Sequence, residues 1–156
     1  MVDLVYNKVR SADRNKETQI LKDSSLKPNN FDKDLSRDFA SNCNKPDICL
    51  IDHENRKCKL VEVSIPFDSH IDLTYRKKFE KYFPLSLEVN ELGFQTEIII
   101  LIIGSLGNVH HKFQTGLKHI GLCNTEAKYL AKYCSISAII GSKNIWNLRC
   151  RDFHRI

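Results

Sequence analysis

The chain has 156 residues, of which 42% are hydrophobic and 28% charged, enough to bury one domain-sized core and too apolar for a wholly disordered chain. Lys and Arg number 24 against 19 Asp and Glu, a net charge of +5 that leans towards polyanionic partners without defining one. The longest apolar run, Ile98 to Ile103, falls far short of the about 20 residues a membrane span needs, and the opening stretch lacks an apolar signal segment, so no membrane partner and an intracellular location are expected.

Residues 1–42 are polar, with basic and acidic side chains nearly balanced, and read as a loosely ordered or partly helical lead. Pro28-Asn29-Asn30 breaks this lead, and Phe31 to Ala40 could form a short helix. From residue 43 to 156 the texture is that of an α/β domain. Asp47 to Asp52 reads as a strand, His53 to Arg56 as a turn, and Lys57 to Ile65 as a second strand that Pro66 ends. Asp72 is placed to cap a helix running towards Asn90, interrupted or restarted near Pro84 and stopped by Gly93. Glu97 to Ile103 is a strand whose unbroken apolar run predicts burial on both faces. After the loop Gly104 to Gly107, two or three helices are expected, over about 109–120, 125–140 and 143–151. The order β-β-α-β-α-α predicts an α/β fold, a small mixed sheet flanked by helices and closed by a C-terminal helical segment.

The hairpin fixes the chemistry. A loop centred between Glu54 and Asn55 sets Asp52 opposite Lys57, Ile51 opposite Cys58, Cys49 opposite Leu60 and Asp47 opposite Glu62. Facing side chains in an antiparallel pair lie about 5 Å apart at Cβ, so Asp47 and Glu62 become neighbours among apolar residues. A register shifted by one would separate them and would turn Lys57 or Lys59 into the core. Two such carboxylates must share a proton or hold a cation, and Mg²⁺ or Mn²⁺ with open coordination positions suits phosphodiester hydrolysis. A cation near the developing phosphate charge is also needed. The following helix offers Lys77, Lys78 and Lys81, with Lys78 and Tyr82 on one face, and Tyr75, Phe79, Tyr82 and Phe83 as its apolar stripe. Otherwise Asp47 merely begins a strand and Glu62 is an edge residue of the next, and the lysines pair with Glu80 or Glu88 on the helix surface.

The remaining features are plainer. Cys43, Cys49, Cys58, Cys123, Cys134 and Cys150 contain no Cys-x-x-Cys pair and read as reduced, mostly buried thiols. Asp68 and Asp72 read as caps and turns, with reach to a metal through water as the sharper alternative; His110 and His111 read as surface residues, with phosphate contact as theirs. Trp146 is expected to pack the last helix onto the core. Most of the net positive charge falls in residues 125–156, where Lys128, Lys132, Lys143, Arg149 and Arg151 are candidates for holding a nucleic-acid backbone.

Taken in order, Lys45-Pro46-Asp47, Leu60-Val61-Glu62-Val63-Ser64-Ile65-Pro66, Glu80-Lys81-Tyr82 with Leu85 and Glu88, and the late strand with Gly104-Ser-Leu-Gly107 resemble one family. It is the restriction-like endonuclease domain of non-LTR retrotransposon polyproteins, in the PD-(D/E)xK nuclease superfamily, and the likeness covers roughly residues 43–150. The resemblance implies a restriction-endonuclease-like fold and metal-dependent nicking of target DNA, with Asp47 and Glu62 as the motif's two carboxylates binding Mg²⁺ or Mn²⁺. Ser64 stands where many superfamily members carry lysine, so the catalytic lysine would come from the helix, as Lys78 or Lys81 beside Tyr82, Lys78 being preferred for the face it shares with Tyr82. Element RNA and a reverse transcriptase absent from this chain are the further partners implied, nuclear location follows if chromosomal DNA is the substrate, and the chain would be a truncated or stand-alone copy. The alternatives are an inactive nucleic-acid-binding remnant of the same fold and a small protein-interaction domain with incidental carboxylates.

Overall fold

A computed structural model describes residues 1–12, 18–31, 38–41 and 45–153. Helix α1 (Val2–Ala12) and strand β1 (Thr18–Lys22) precede a hairpin of β2 (Ile48–Asp52) and β3 (Lys57–Ser64). Helix α2 (Ile71–Glu91), strand β4 (Gln95–Ile102), and helices α3 (Phe113–His119) and α4 (Asn124–Phe153) follow. The four strands form one mixed sheet in the order β1-β2-β3-β4. β1 and β3 run antiparallel to β2, and β4 runs parallel to β3, as a strand returning through a crossover helix must.

Strand periodicity divides the side chains between two layers. Ile48, Leu50, Val61, Ile99, Leu101 and Ile103 meet Val5 and Val9 of α1, Phe113 and Leu117 of α3, and Ala127, Leu130, Ala131, Cys134 and Ala138 of α4. Cys49, Ile51, Cys58 and Leu60 point to the other face, against Tyr82, Leu85 and Val89 of α2, while Ile71 of α2 packs on Ile100 and Ile102 of β4. The inner stripe of α2 is therefore Ile71, Tyr75, Lys78, Tyr82, Leu85 and Val89, spaced by three and four residues. Phe79 and Phe83, expected in that stripe, are exposed and lie against each other with ring centroids 6.2 Å apart.

The hairpin register is the expected one, from Asp52 opposite Lys57 to Ile48 opposite Val61. The turn succeeds without an Asn-Gly pair because Asp52 takes the Asn55 amide at 3.0 Å and the Asn55 side chain at 2.9 Å, while Arg56 adopts the left-handed conformation, φ 51°.

Four expectations about the elements are corrected. The polar lead supplies an edge strand, because Thr18–Lys22 finds in β2 a partner that local pattern could not reveal. Pro84 does not interrupt α2: it removes one backbone donor, but the flanking Tyr82, Leu85 and Val89 hold both halves on the sheet. Of the two or three helices expected after β4 there are two, and the break expected near residue 141 is absent: α4 runs through Gly141, where glycine costs only about 1 kcal/mol of helix propensity. Trp146 is 69% exposed and does not pack on the core, because the buried stripe of α4 ends at Ala138 and the helix runs on past the sheet. The helix expected over Phe31–Ala40 lies mostly, at 32–37, outside the described residues, as does Cys43. Cys49, Cys58 and Cys134 are buried, whereas Cys123 and Cys150 are exposed. Among the described residues no helix is long and apolar enough to cross a membrane.

Candidate active site

Parity along the hairpin puts Asp47 and Glu62, one residue beyond the Ile48–Val61 pair, on the α2 face of the sheet. Asp47 precedes β2. Its Oδ2 accepts the Val63 amide at 2.7 Å, and its carbonyl oxygen accepts the Asp23 amide at 2.9 Å, so both neighbouring strands hold it. Glu62, in the middle of β3, is only 4% exposed. A carboxylate buried to that degree requires partners, and α2 provides them. Lys78 donates to Glu62 Oε1, and the Tyr82 hydroxyl lies 2.7 Å from Glu62 Oε2 and 3.0 Å from the Lys45 carbonyl oxygen. Lys78 reaches this point because it occupies the inner stripe of α2, one turn before Tyr82.

Lys81, the other candidate lysine, leans back over the ring of Tyr82, 4.6 Å from its centroid, and donates to the Tyr82 hydroxyl at 3.0 Å. It therefore touches the site through Tyr82, whereas Lys78 touches a carboxylate directly. Burial holds the Asp47 carboxyl above its ordinary value; the Val63 amide opposes this, the Glu62 charge reinforces it and Lys78 opposes it.

Glu88, one of the residues carrying the family likeness, has a different task from surface pairing with lysine. Its two oxygens accept the Ala40 and Ser41 amides at 2.7 and 2.8 Å, which fastens the segment before Asp47 to α2. Asp68 is likewise a turn residue: its Oδ1 takes the Leu106 amide at 2.8 Å, and its carboxylate lies so close to Gly104 that a side chain there would push it aside.

The basic side chains of α4 stand apart from this arrangement. Lys128, Lys132, Lys143 and Arg149 belong to the helix covering the opposite face of the sheet from Asp47 and Glu62. Arg151 lies on the last turn of α4, and its side chain is outside the described ones.

A group that sequence reading did not assemble lies at the start of α2. Asp72 is in its first turn, and His110 and His111 follow β4; one ligand atom from each falls within 4.8 Å of the others. His110 is 5% exposed, not a surface residue, and its ring stacks on Tyr75 at 4.7 Å. Its Nε2 is 3.4 Å from Asp72 Oδ1, and its Nδ1 accepts the Lys112 amide at 3.3 Å. Burial lowers its pKa, as does the adjacent His111, while Asp72 raises it. The adjacent histidines were visible in the sequence; their meeting with Asp72 depends on the parallel placement of β4 beneath α2.

No protein-family model matches the chain, and no curated protein matches it. Among solved structures it is similar to an N-terminal domain of a reptarenavirus L protein, with a TM-score of 0.47 and 17% identity over 88% of this chain and 74% of that one.

Proposed function

We propose that this protein is a metal-dependent endonuclease that hydrolyses a phosphodiester bond of DNA and leaves a nick. The observation that carries this reading is the meeting of Asp47, Glu62 and Lys78 on one face of the sheet, with Lys78 donating to Glu62 and Tyr82 bracing it. The donor set fits Mg²⁺ or Mn²⁺: one carboxylate just before β2 and one on β3, the latter already attracting an ammonium group. Asp47 and Glu62 would hold that cation, which when bound supplies Lewis-acid polarisation of the phosphate and a more acidic water.

The chain's own groups do the rest. Asp47 keeps Oδ2 on the Val63 amide, which would fix its carboxylate for holding the cation. Tyr82 fixes Glu62, and Lys81 in turn contacts the Tyr82 hydroxyl. Lys78 exchanges its contact with Glu62 for the scissile phosphate, where an ammonium group stabilises the charge that develops as the bond breaks. In this reading the chain carries a nuclease domain like that of non-LTR retrotransposons, and chromosomal DNA in the nucleus is its substrate.

The test is incubation with supercoiled plasmid at low salt in Mg²⁺, Mn²⁺ or EDTA. The expected result is nicking that needs the divalent cation and disappears in Asp47→Ala. A folded protein that binds DNA but nicks it under neither metal would replace this reading with that of a binding remnant. Failure to bind or cut would leave a protein-interaction domain.

A further inference from the structure

We propose that Asp72, His110 and His111 form a second metal site, built for a transition cation of the Zn²⁺ class and separate from the Asp47–Glu62 pair. Asp72 lies six residues before Lys78 on α2, about 9 Å along the helix axis. The donors differ as well. Two imidazoles and a carboxylate suit Zn²⁺, Co²⁺ or Ni²⁺, whereas Mg²⁺ is bound through oxygen.

Three features support a metal over a simple histidine–aspartate hydrogen bond. The separation of 3.4 Å between His110 Nε2 and Asp72 Oδ1 is long for a hydrogen bond to a carboxylate. It matches the ligand-to-ligand edge of a tetrahedron, about 3.3 Å for metal–ligand bonds near 2.05 Å. The ring of His110 is already immobilised by its stack on Tyr75, whose ring the Lys112 ammonium also approaches, 4.7 Å from the centroid. The third ligand, His111, is exposed and lies beside His110 with ring centroids 4.2 Å apart, so a side-chain rotation can close the spread of up to 4.8 Å among the donor atoms.

On binding, the Nε2 proton of His110 would pass to solvent as the cation takes its place, and Nδ1 would take up a proton from solvent as the Lys112 amide turns away, so the ring stays neutral with no net change in protons. The bound ion would fasten the first turn of α2 to the segment following β4, and solvent would complete its coordination.

The test is calorimetric titration of the whole chain with Zn²⁺, joined by the visible spectrum with Co²⁺. Saturable 1:1 binding is expected, weakened at least about 10–100-fold in His111→Ala and in Asp72→Asn, both exposed positions whose replacement spares the core. Asp47→Ala should bind Zn²⁺ as the parent does, which separates this site from the proposed nuclease centre whether or not the protein cuts DNA. The inference is overturned by absence of saturable binding, by binding that both variants retain, by binding lost in Asp47→Ala, or by a thiolate-to-Co²⁺ charge-transfer band that vanishes in Cys123→Ser or Cys150→Ser.

Discussion

Glu62 holds two partners at once, and one of them must give way for a divalent cation to bind. Lys78 supplies positive charge where a metal would supply more, so under the proposed function the lysine would compete with the ion for Glu62. Lys78→Met should therefore reduce nicking by about 10²–10³-fold and, in the same protein, tighten Mn²⁺ binding measured by calorimetry. Asp47 yields a second prediction. Its raised pKa means that the folded chain binds this proton more tightly than the unfolded chain, so the ionised carboxylate lowers stability above that range and costs nothing once both states are protonated. Without metal, Asp47→Asn should melt on the order of 2 °C higher at pH 7, and the difference should close as pH falls through the raised value and past 3.8, followed by circular dichroism. At this scale the sequence was informative about the acids, because strand alternation and one turn sufficed to pair Asp47 with Glu62. It was less informative about the lysines. Lys78 and Lys81 differ by three positions, and only the docked orientation of α2 shows which reaches a carboxylate.

Helix α2 is the element that makes a site out of two strands. Its inner stripe contains a lysine and a tyrosine among aliphatic residues, so the same face that buries the core also delivers the polar groups. Leu85 is fully buried one turn beyond Tyr82, and Leu85→Ala should cost about 2–5 kcal/mol in denaturant unfolding while leaving every proposed site residue in place. The exposed Phe79 and Phe83 explain why a stripe drawn from aromatic residues alone was rotated away from the true one. Helix α4 shows the opposite failure. Its apolar residues beyond Ala138, including Trp146, suggested packing, yet the sheet they would pack on has already ended. Apolar character in a sequence marks what can be buried; the length of the neighbouring layer decides what is.

For the whole molecule, the order of elements after residue 45 followed from strand and helix periods, since each segment carries its own period. Contacts between distant segments did not follow. Strand β1 is five residues long with no fully buried position, and its pairing with β2 spans the segment between them, which leaves little local signature. The encounter of Asp72 with His110 and His111 likewise needed the crossover to place β4 beside β3.

The strand supplied by the polar lead has a practical consequence. Asp47 is gripped on one side by β3, through the Val63 amide, and on the other by the end of β1, through the Asp23 amide. A fragment spanning residues 43–156 would contain every proposed catalytic group and would still lack half of that grip, together with the packing of α1 on α4. Such a fragment should melt earlier than the full chain in calorimetry and bind Mn²⁺ more weakly. The stretch that bears the motif is thus shorter than the stretch whose contacts hold Asp47 in place, and a boundary drawn from the motif alone would trim away part of that support.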